Sequence, residues 1–145
     1  MVGPGDAGEA ARSAAEEVGR ELASRGAVVV CGGLGGVMEA ACRGAKQAGG
    51  TTLGILPGDD RRAANEWVDV ALPSGLGEAR NALVVRASDA VVAVHGGFGT
   101  LSEIALALKT GRRVVGIETW EIEGIERAES AADAVERALA AASPV

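Results

Sequence analysis

The sequence has no tyrosine, one phenylalanine and two tryptophans, so Phe98, Trp67 and Trp120 are its entire aromatic complement. Proteins that hold single-stranded nucleic acid stack bases on aromatic side chains, and this chain has few to offer. A basic surplus is missing too: Asp and Glu outnumber Lys and Arg by 20 to 14, for a net charge of −6. Non-specific nucleic-acid binding needs a basic face for the phosphates. No nucleic-acid partner is therefore expected. Cysteine is limited to Cys31 and Cys42, with no CxxC pair, which excludes a disulfide framework and a zinc site. Both are expected as small buried apolar residues, and no metal site is expected. No apolar run approaches the roughly 20 residues of a membrane span. The opening MVGPGDAGEA is not a secretory signal. The expectation is a cytoplasmic protein without a membrane partner.

Glycine and alanine are what the chain has in excess, 22 and 29 of 145 residues. The glycines have no three-residue period, which excludes collagen. At 48% hydrophobic residues, the chain can build a core from Ala, Val, Leu and Ile and is not of disordered composition. Its length suits one domain, residues 1–145.

Helical and strand patterns alternate. Residues 8–25 read as an amphipathic helix with Ala11, Ala15, Val18, Leu22 and Ala23 on its apolar stripe, stopped by Gly26. Residues 27–31 form a continuously apolar strand of the kind buried on both faces. A helix over 37–48, a strand over 51–56, a polar loop over 57–66 and a short strand over 67–72 follow. The second half reads as helix 77–87, strand 89–94, helix 101–109, strand 113–117 and a closing helix 130–142. This alternation predicts a doubly wound, Rossmann-like α/β fold with a mostly parallel sheet flanked by helices. A strand should precede the first helix, and only Met1 and Val2 are there to form it. Either that strand is a truncated stub or the true start lies upstream. The second is expected, because a central strand is costly to lose.

Three glycine loops sit between a strand end and a helix start: GPGDAG (3–8), GGLGG (32–36) and GGFGT (96–100). In parallel α/β sheets such turns share the carboxyl edge of the strands, where ligands bind. Helix N-termini there offer unpaired N–H groups to an anion. Three such loops together predict a phosphate-bearing small molecule as partner. The letters of Gly3–Gly8 fit G-x-G-x-x-G, but the next strand ends Val30-Cys31-Gly32 without the acid that holds a dinucleotide ribose. Walker A is absent, since no glycine is followed by Lys-Ser or Lys-Thr. No resident cofactor is expected. In the third loop Thr100 has the spacing to cap the next helix, with Glu103 completing a T-x-x-E capping box. Alternatively, Glu103 faces a sugar beside the phosphate; the spacing alone does not choose.

CGGLGGVMEAACRGAKQAGGTTLGILPG and GEARNALVVRASDAVVAVHGGFGTLSE resemble the LONELY GUY-like Rossmann proteins. That group includes cytokinin riboside 5′-monophosphate phosphoribohydrolases and once carried a "lysine decarboxylase" label. Its hallmark is PGGxGTxxE with an upstream Arg-Lys pair. Here His95–Glu103 covers the hallmark and Arg80-Asn81 falls where the pair should be. The likeness spans about residues 2–118 and is closest to a short-chain subgroup similar to the molybdenum cofactor carrier proteins.

The resemblance implies that Arg80 and Glu103 are the catalytic pair of a nucleoside 5′-monophosphate phosphoribohydrolase, which frees the base from ribose 5-phosphate. Gly96, Gly97, Gly99 and Thr100 would cradle the phosphate. Gly32, Gly33, Gly35, Gly36 and Met38 would line the nucleotide site. A carboxylate beside the ribose suits that chemistry, because glycosidic cleavage builds positive charge on the sugar. Two departures favour the alternative of a non-catalytic carrier or sensor, for example of the molybdenum cofactor. His95 stands for the motif proline and Asn81 for the lysine, and either could contact the ligand. The decarboxylase label fits poorly, since Lys46 and Lys109 fall near helix ends rather than in the loops, where a pyridoxal Schiff base would form. Asp59, Asp60, Arg61 and Arg62 read as solvated surface with a lid as the alternative, and Trp67 as core with stacking on a base as the alternative. A homodimer or dimer of dimers through helices 77–87 and 101–109 is expected, because so few large side chains limit the apolar area one copy can bury.

Overall fold

Valine and isoleucine dominate the strands because stiff β-branched side chains pack well on a pleated surface. The computed structural model describes residues 1–140. Six strands form two three-stranded sheets in which every pairing is parallel. The first holds β1 (Val29–Cys31), β2 (Thr52–Leu56) and β3 (Val70–Pro73), and the second β4 (Ala90–Val94), β5 (Arg113–Ile117) and β6 (Ile125–Arg127). Met1 and Val2 stand between the halves. The Val2 N–H donates to the Val92 carbonyl at 2.9 Å and the Val2 carbonyl accepts from the Val94 N–H at 3.0 Å. The Met1 amino group donates to the Val30 carbonyl of β1 at 2.9 Å. Met1 and Val2 thus occupy the position expected for the first strand, and the chain winds outward from them in both directions.

The helices cover both faces. Val92 and Val94 of β4 pack in a cluster with α1 (Glu9–Ser24), α2 (Val37–Gln47) and α5 (Ala131–Ala140). Val91 and Ala93 pack with α3 (Asn81–Arg86) and α4 (Phe98–Lys109). Alternation along a strand buried on both sides explains why β4 reads as an unbroken apolar run. No helix of the described residues is long and apolar enough to cross a membrane.

Glycine also serves inside helices. A Cβ on Gly19 of α1 would stand 1.9 Å from the Ala41 carbonyl oxygen of α2, and one on Gly44 of α2 would stand 1.9 Å from the Glu16 carbonyl oxygen of α1. The two backbones therefore touch, and Arg43 clamps the pair through Glu16 at 2.7 Å.

Several expected boundaries are corrected. The strand expected at 67–72 begins at Val70. Before it, the Trp67 carbonyl accepts from the Thr52 hydroxyl, and the Asp69 carboxylate accepts from the Thr52 N–H. Helix 77–87 opens as a 3-10 turn over Gly77–Arg80 before α3. The helix expected from Leu101 starts three residues earlier, at Phe98. β6 was not expected at all: it is a three-residue edge strand whose Glu126 pairs with Arg113 of β5, too short and polar to show a period. Residues 141–142 of the expected last helix lie outside the described residues.

Candidate functional site

A cleft of about 860 Å³ opens at the carboxyl edge of the strands. It lies where the two half-sheets diverge, the switch point at which ligands of doubly wound folds bind. Gly3, Pro4 and Gly5 enter it from the first turn, Leu34 and Met38 from the second loop and α2, and Arg80 and Asn81 from the turn leading into α3. Gly97, Phe98, Gly99, Thr100, Ser102, Glu103 and Leu106 come from α4 and its cap. Gly99, Ser102, Glu103 and Leu106 are spaced as one helix face.

The start of α4 decides what the cleft offers. The first N–H groups of a helix have no intrahelical partners, and Gly97, the N-cap, has no side chain to supply an acceptor for them. Thr100 lies inside the first turn rather than at the cap, which removes the T-x-x-E capping box expected for Thr100 and Glu103. Its hydroxyl is buried without a hydrogen-bond partner, and so is the Arg80 Nε. Thr100 is 2% exposed and Arg80 9%. Burying an unpaired polar group costs free energy, and both of these belong to residues that line one cleft.

Arg80 is held rather than loose. Its Nη1 donates to Asn81 Oδ1, Asn81 Nδ2 donates to Ser102 Oγ at 3.0 Å, and Ser102 Oγ donates to the Gly99 carbonyl at 2.7 Å. Asn81 therefore ties the guanidinium to the first turn of α4. On the other side a Cβ at Gly32 would come within 2.6 Å of Arg80 Nη2 and 2.8 Å of Met38 Sδ, so Gly32 leaves the space in which Arg80 sits. Glu103, 7% exposed, has its carboxyl pushed up to about 7 by burial, against the opposing pull of the Met1 amino group and of Arg80.

Of the residues singled out from sequence, Arg80, Asn81, Met38, Gly97, Gly99, Thr100 and Glu103 line the cleft. Gly32, Gly33, Gly35, Gly36, His95 and Gly96 do not. Gly36, at φ 64°, would put a Cβ 2.3 Å from the Pro4 carbonyl oxygen, so it packs the second loop against the first. Asn65 braces the same loop by donating to the carbonyls of Gly33 and Leu34. His95 Nε2 pairs with Glu118 at 3.1 Å. Trp67 packs on the core at the edge of α2's cluster. The Asp60 carboxylate turns back on Arg62. Cys31 and Cys42 are free and buried, with sulfurs 3.5 Å apart. The sequence reading missed Ser102 and Phe98. A helix starting at Phe98 would have placed Ser102 beside Glu103 on the cleft face.

Several known proteins resemble this chain. An uncharacterized protein of Archaeoglobus fulgidus is 42% identical over 136 residues, 93% of this chain and 89% of its own length. A cytokinin riboside 5′-monophosphate phosphoribohydrolase of Oryza sativa subsp. japonica is 36% identical over 97 residues, 64% of this chain, which spans only 40% of that enzyme. The structure of the molybdenum cofactor binding protein from Rippkaea orientalis superposes with a TM-score of 0.90 at 36% identity, covering 95% of this chain and 92% of that one. The molybdenum cofactor carrier protein of Chlamydomonas reinhardtii superposes with a TM-score of 0.86 at 34% identity, covering 97% and 94%. The SLOG cluster4 family model matches residues 1–144, and the chain belongs to that family.

Proposed function

We propose that this protein binds a phosphate-bearing small molecule, a nucleoside 5′-monophosphate, in the cleft over the switch point. The observation that carries this is the pair of buried, unpartnered groups, Thr100 Oγ1 and Arg80 Nε, beside the open N-terminus of α4. A phosphate there accepts from all three kinds of donor at once: hydroxyl, guanidinium and backbone N–H. Glu103 gives the site its chemistry. With its carboxyl near 7, it is about half ionised at neutral pH, the range in which a general acid–base group works best. As the bond from C1′ to the base breaks, its ionised form stabilises the oxocarbenium charge and takes a proton from the attacking water. That water's oxygen ends on C1′ of ribose 5-phosphate, the base nitrogen takes a proton from solvent as it leaves, and Glu103 returns its own proton to solvent.

The test is incubation with a panel of nucleoside monophosphates, with free base followed by chromatography. The expected result is base release that Glu103→Gln largely abolishes. Binding of AMP without release above the blank removes the hydrolase assignment and keeps the binding one.

A non-catalytic carrier of a phosphorylated pterin is the second reading. It is favoured by Asn81, whose side chain is committed to Arg80 and Ser102, and by the near full-length likeness to a molybdenum cofactor carrier. Native mass spectrometry of protein taken straight from cells separates the two by the mass of the bound molecule. Self-association through α3 and α4 belongs to the same proposal. Leu83 of α3 is 41% exposed, and light scattering at micromolar concentration is expected to give a dimer or tetramer.

A further inference from the structure

Two of the three aromatic side chains of this protein stand together beside the cleft, Phe98 lining it and Trp120 lining a neighbouring pocket. Phe98, the first residue of α4, lines the cleft and is 83% exposed. Trp120, in the segment after β5, stacks on it with ring centroids 6.1 Å apart and planes 29° from parallel. An apolar ring left this open forgoes about 1.5–3 kcal/mol of burial, yet the surrounding chain is arranged to hold the pair in place. Trp120 Nε1 donates to the Gly97 carbonyl at 3.2 Å. A Cβ on Gly96 would lie 2.7 Å from Trp120 Cδ1 and Nε1, so only glycine leaves room for the indole. The Thr119 hydroxyl donates to the His95 carbonyl at 2.6 Å. His95 (φ 54°) and Glu118 (φ 46°) are the two non-glycine residues with positive φ among the described residues, a conformation that side chains with a Cβ rarely adopt. They pair with each other at the ends of β4 and β5. Strained backbone persists where the surroundings enforce it, and it gathers at ligand clamps. Here both strained residues lie immediately before the glycine and the threonine that seat Trp120.

We infer that Phe98, backed by Trp120, is the subsite on which the heteroaromatic ring of the phosphorylated ligand stacks. This rests on the phosphate reading of Thr100 and Arg80. Phe98 precedes Gly99 and Thr100 on the same helical turn, so a ring on Phe98 and a phosphate at Thr100 belong to one compact molecule.

Titration calorimetry with AMP and ribose 5-phosphate tests this. Wild type is expected to bind AMP more tightly than ribose 5-phosphate. Phe98→Ala is expected to lower AMP affinity by about tenfold or more, the usual worth of one base–aromatic stack, with ribose 5-phosphate affinity changed less than about twofold. Phe98→Trp should keep AMP affinity, and Trp120→Ala should lower it for AMP alone. Thr100→Val should weaken both ligands. Because Phe98 is so exposed, its variants should melt with wild type. Equal affinity of wild type for the two ligands overturns the subsite and leaves the phosphate site standing. So does a Phe98→Ala variant that loses both ligands equally, loses neither, or changes the oligomeric state by light scattering, which would make the aromatic pair a contact between copies. Binding of neither ligand by wild type overturns the subsite together with the phosphate reading.

Discussion

Glu103 carries a stability consequence that can be measured without any ligand. Its carboxyl lies near 7 in the fold against an ordinary 4.5, because a buried carboxylate loses its hydration. The folded chain therefore holds this proton more tightly than the unfolded chain does. Between about 4.5 and 7 the unfolded state binds fewer protons, so stability falls as pH rises through that window and levels off above it. Urea unfolding across pH 4–8 should show this decline, and Glu103→Gln should flatten it and be more stable than wild type at pH 8. A parallel pH profile in the variant would assign the decline to other groups. Thr100 makes a second contrast at the same scale. Its hydroxyl is buried and unpartnered in the free protein, so Thr100→Val should leave the melting temperature unchanged or raised. The same change removes a donor to a charged ligand, worth about 1.5–3 kcal/mol or roughly tenfold or more in affinity. A valine variant that melts lower and binds AMP as well as wild type would contradict the assigned role.

At the scale of elements, the α1–α2 contact makes a prediction against helix propensity. Alanine is favoured over glycine in a helix interior by about 0.8–1 kcal/mol. At Gly44 the added methyl would instead meet the Glu16 carbonyl oxygen, which is backbone and cannot rotate away. Overpacking costs about 1–3 kcal/mol, so the net effect of Gly44→Ala should be destabilising. Chemical denaturation should show a lower midpoint at unchanged slope, whereas a stabilised variant would mean that the helices separate at little cost. These glycines also show where the sequence was legible. Central strands such as β4 and β5 announce themselves as apolar runs, and Gly26 follows the end of α1 as read. Glycine inside a helix carries no local signal, because its reason lies on another helix. The start of α4 was misread for a related reason: Thr100 with Glu103 fits a capping box by spacing, but a chain turning at Gly97 begins the helix before it. Arg80, Asn81, Thr100 and Glu103 were legible as a group through motif resemblance. Their mutual bonds, and the link through Ser102, were not, since a hydroxyl three residues from Gly99 looks like any helix surface.

At the scale of the whole molecule, the site is assembled from both half-sheets. Leu34 and Met38 belong to the β1 side, Thr100 and Glu103 to the β4 side, Gly3 and Gly5 to the turn after the Met1–Val2 segment between the halves, and Arg80 to the segment that crosses between them. The direct link between the sheets is narrow, a single bridge from Val2 to Ala93 beside the Met1 contact to Val30. A ligand in the cleft contacts both halves and so stabilises the molecule as a unit. Binding to the folded state alone adds about 2.7 kcal/mol at a ligand concentration 100 times Kd, enough to raise Tm by several degrees in a domain of this size. Thermal unfolding in rising AMP should therefore show a Tm that climbs with the logarithm of concentration. Amide exchange should slow in β1 and β4 together. Arg80 is the cationic lining residue of the cleft, in a protein whose net charge of −6 otherwise repels an anion. Arg80→Ala should therefore abolish the Tm increase while leaving the Gly96–Thr100 loop in place. An increase that survives Arg80→Ala, or protection confined to one half-sheet, would put the ligand somewhere other than the switch point.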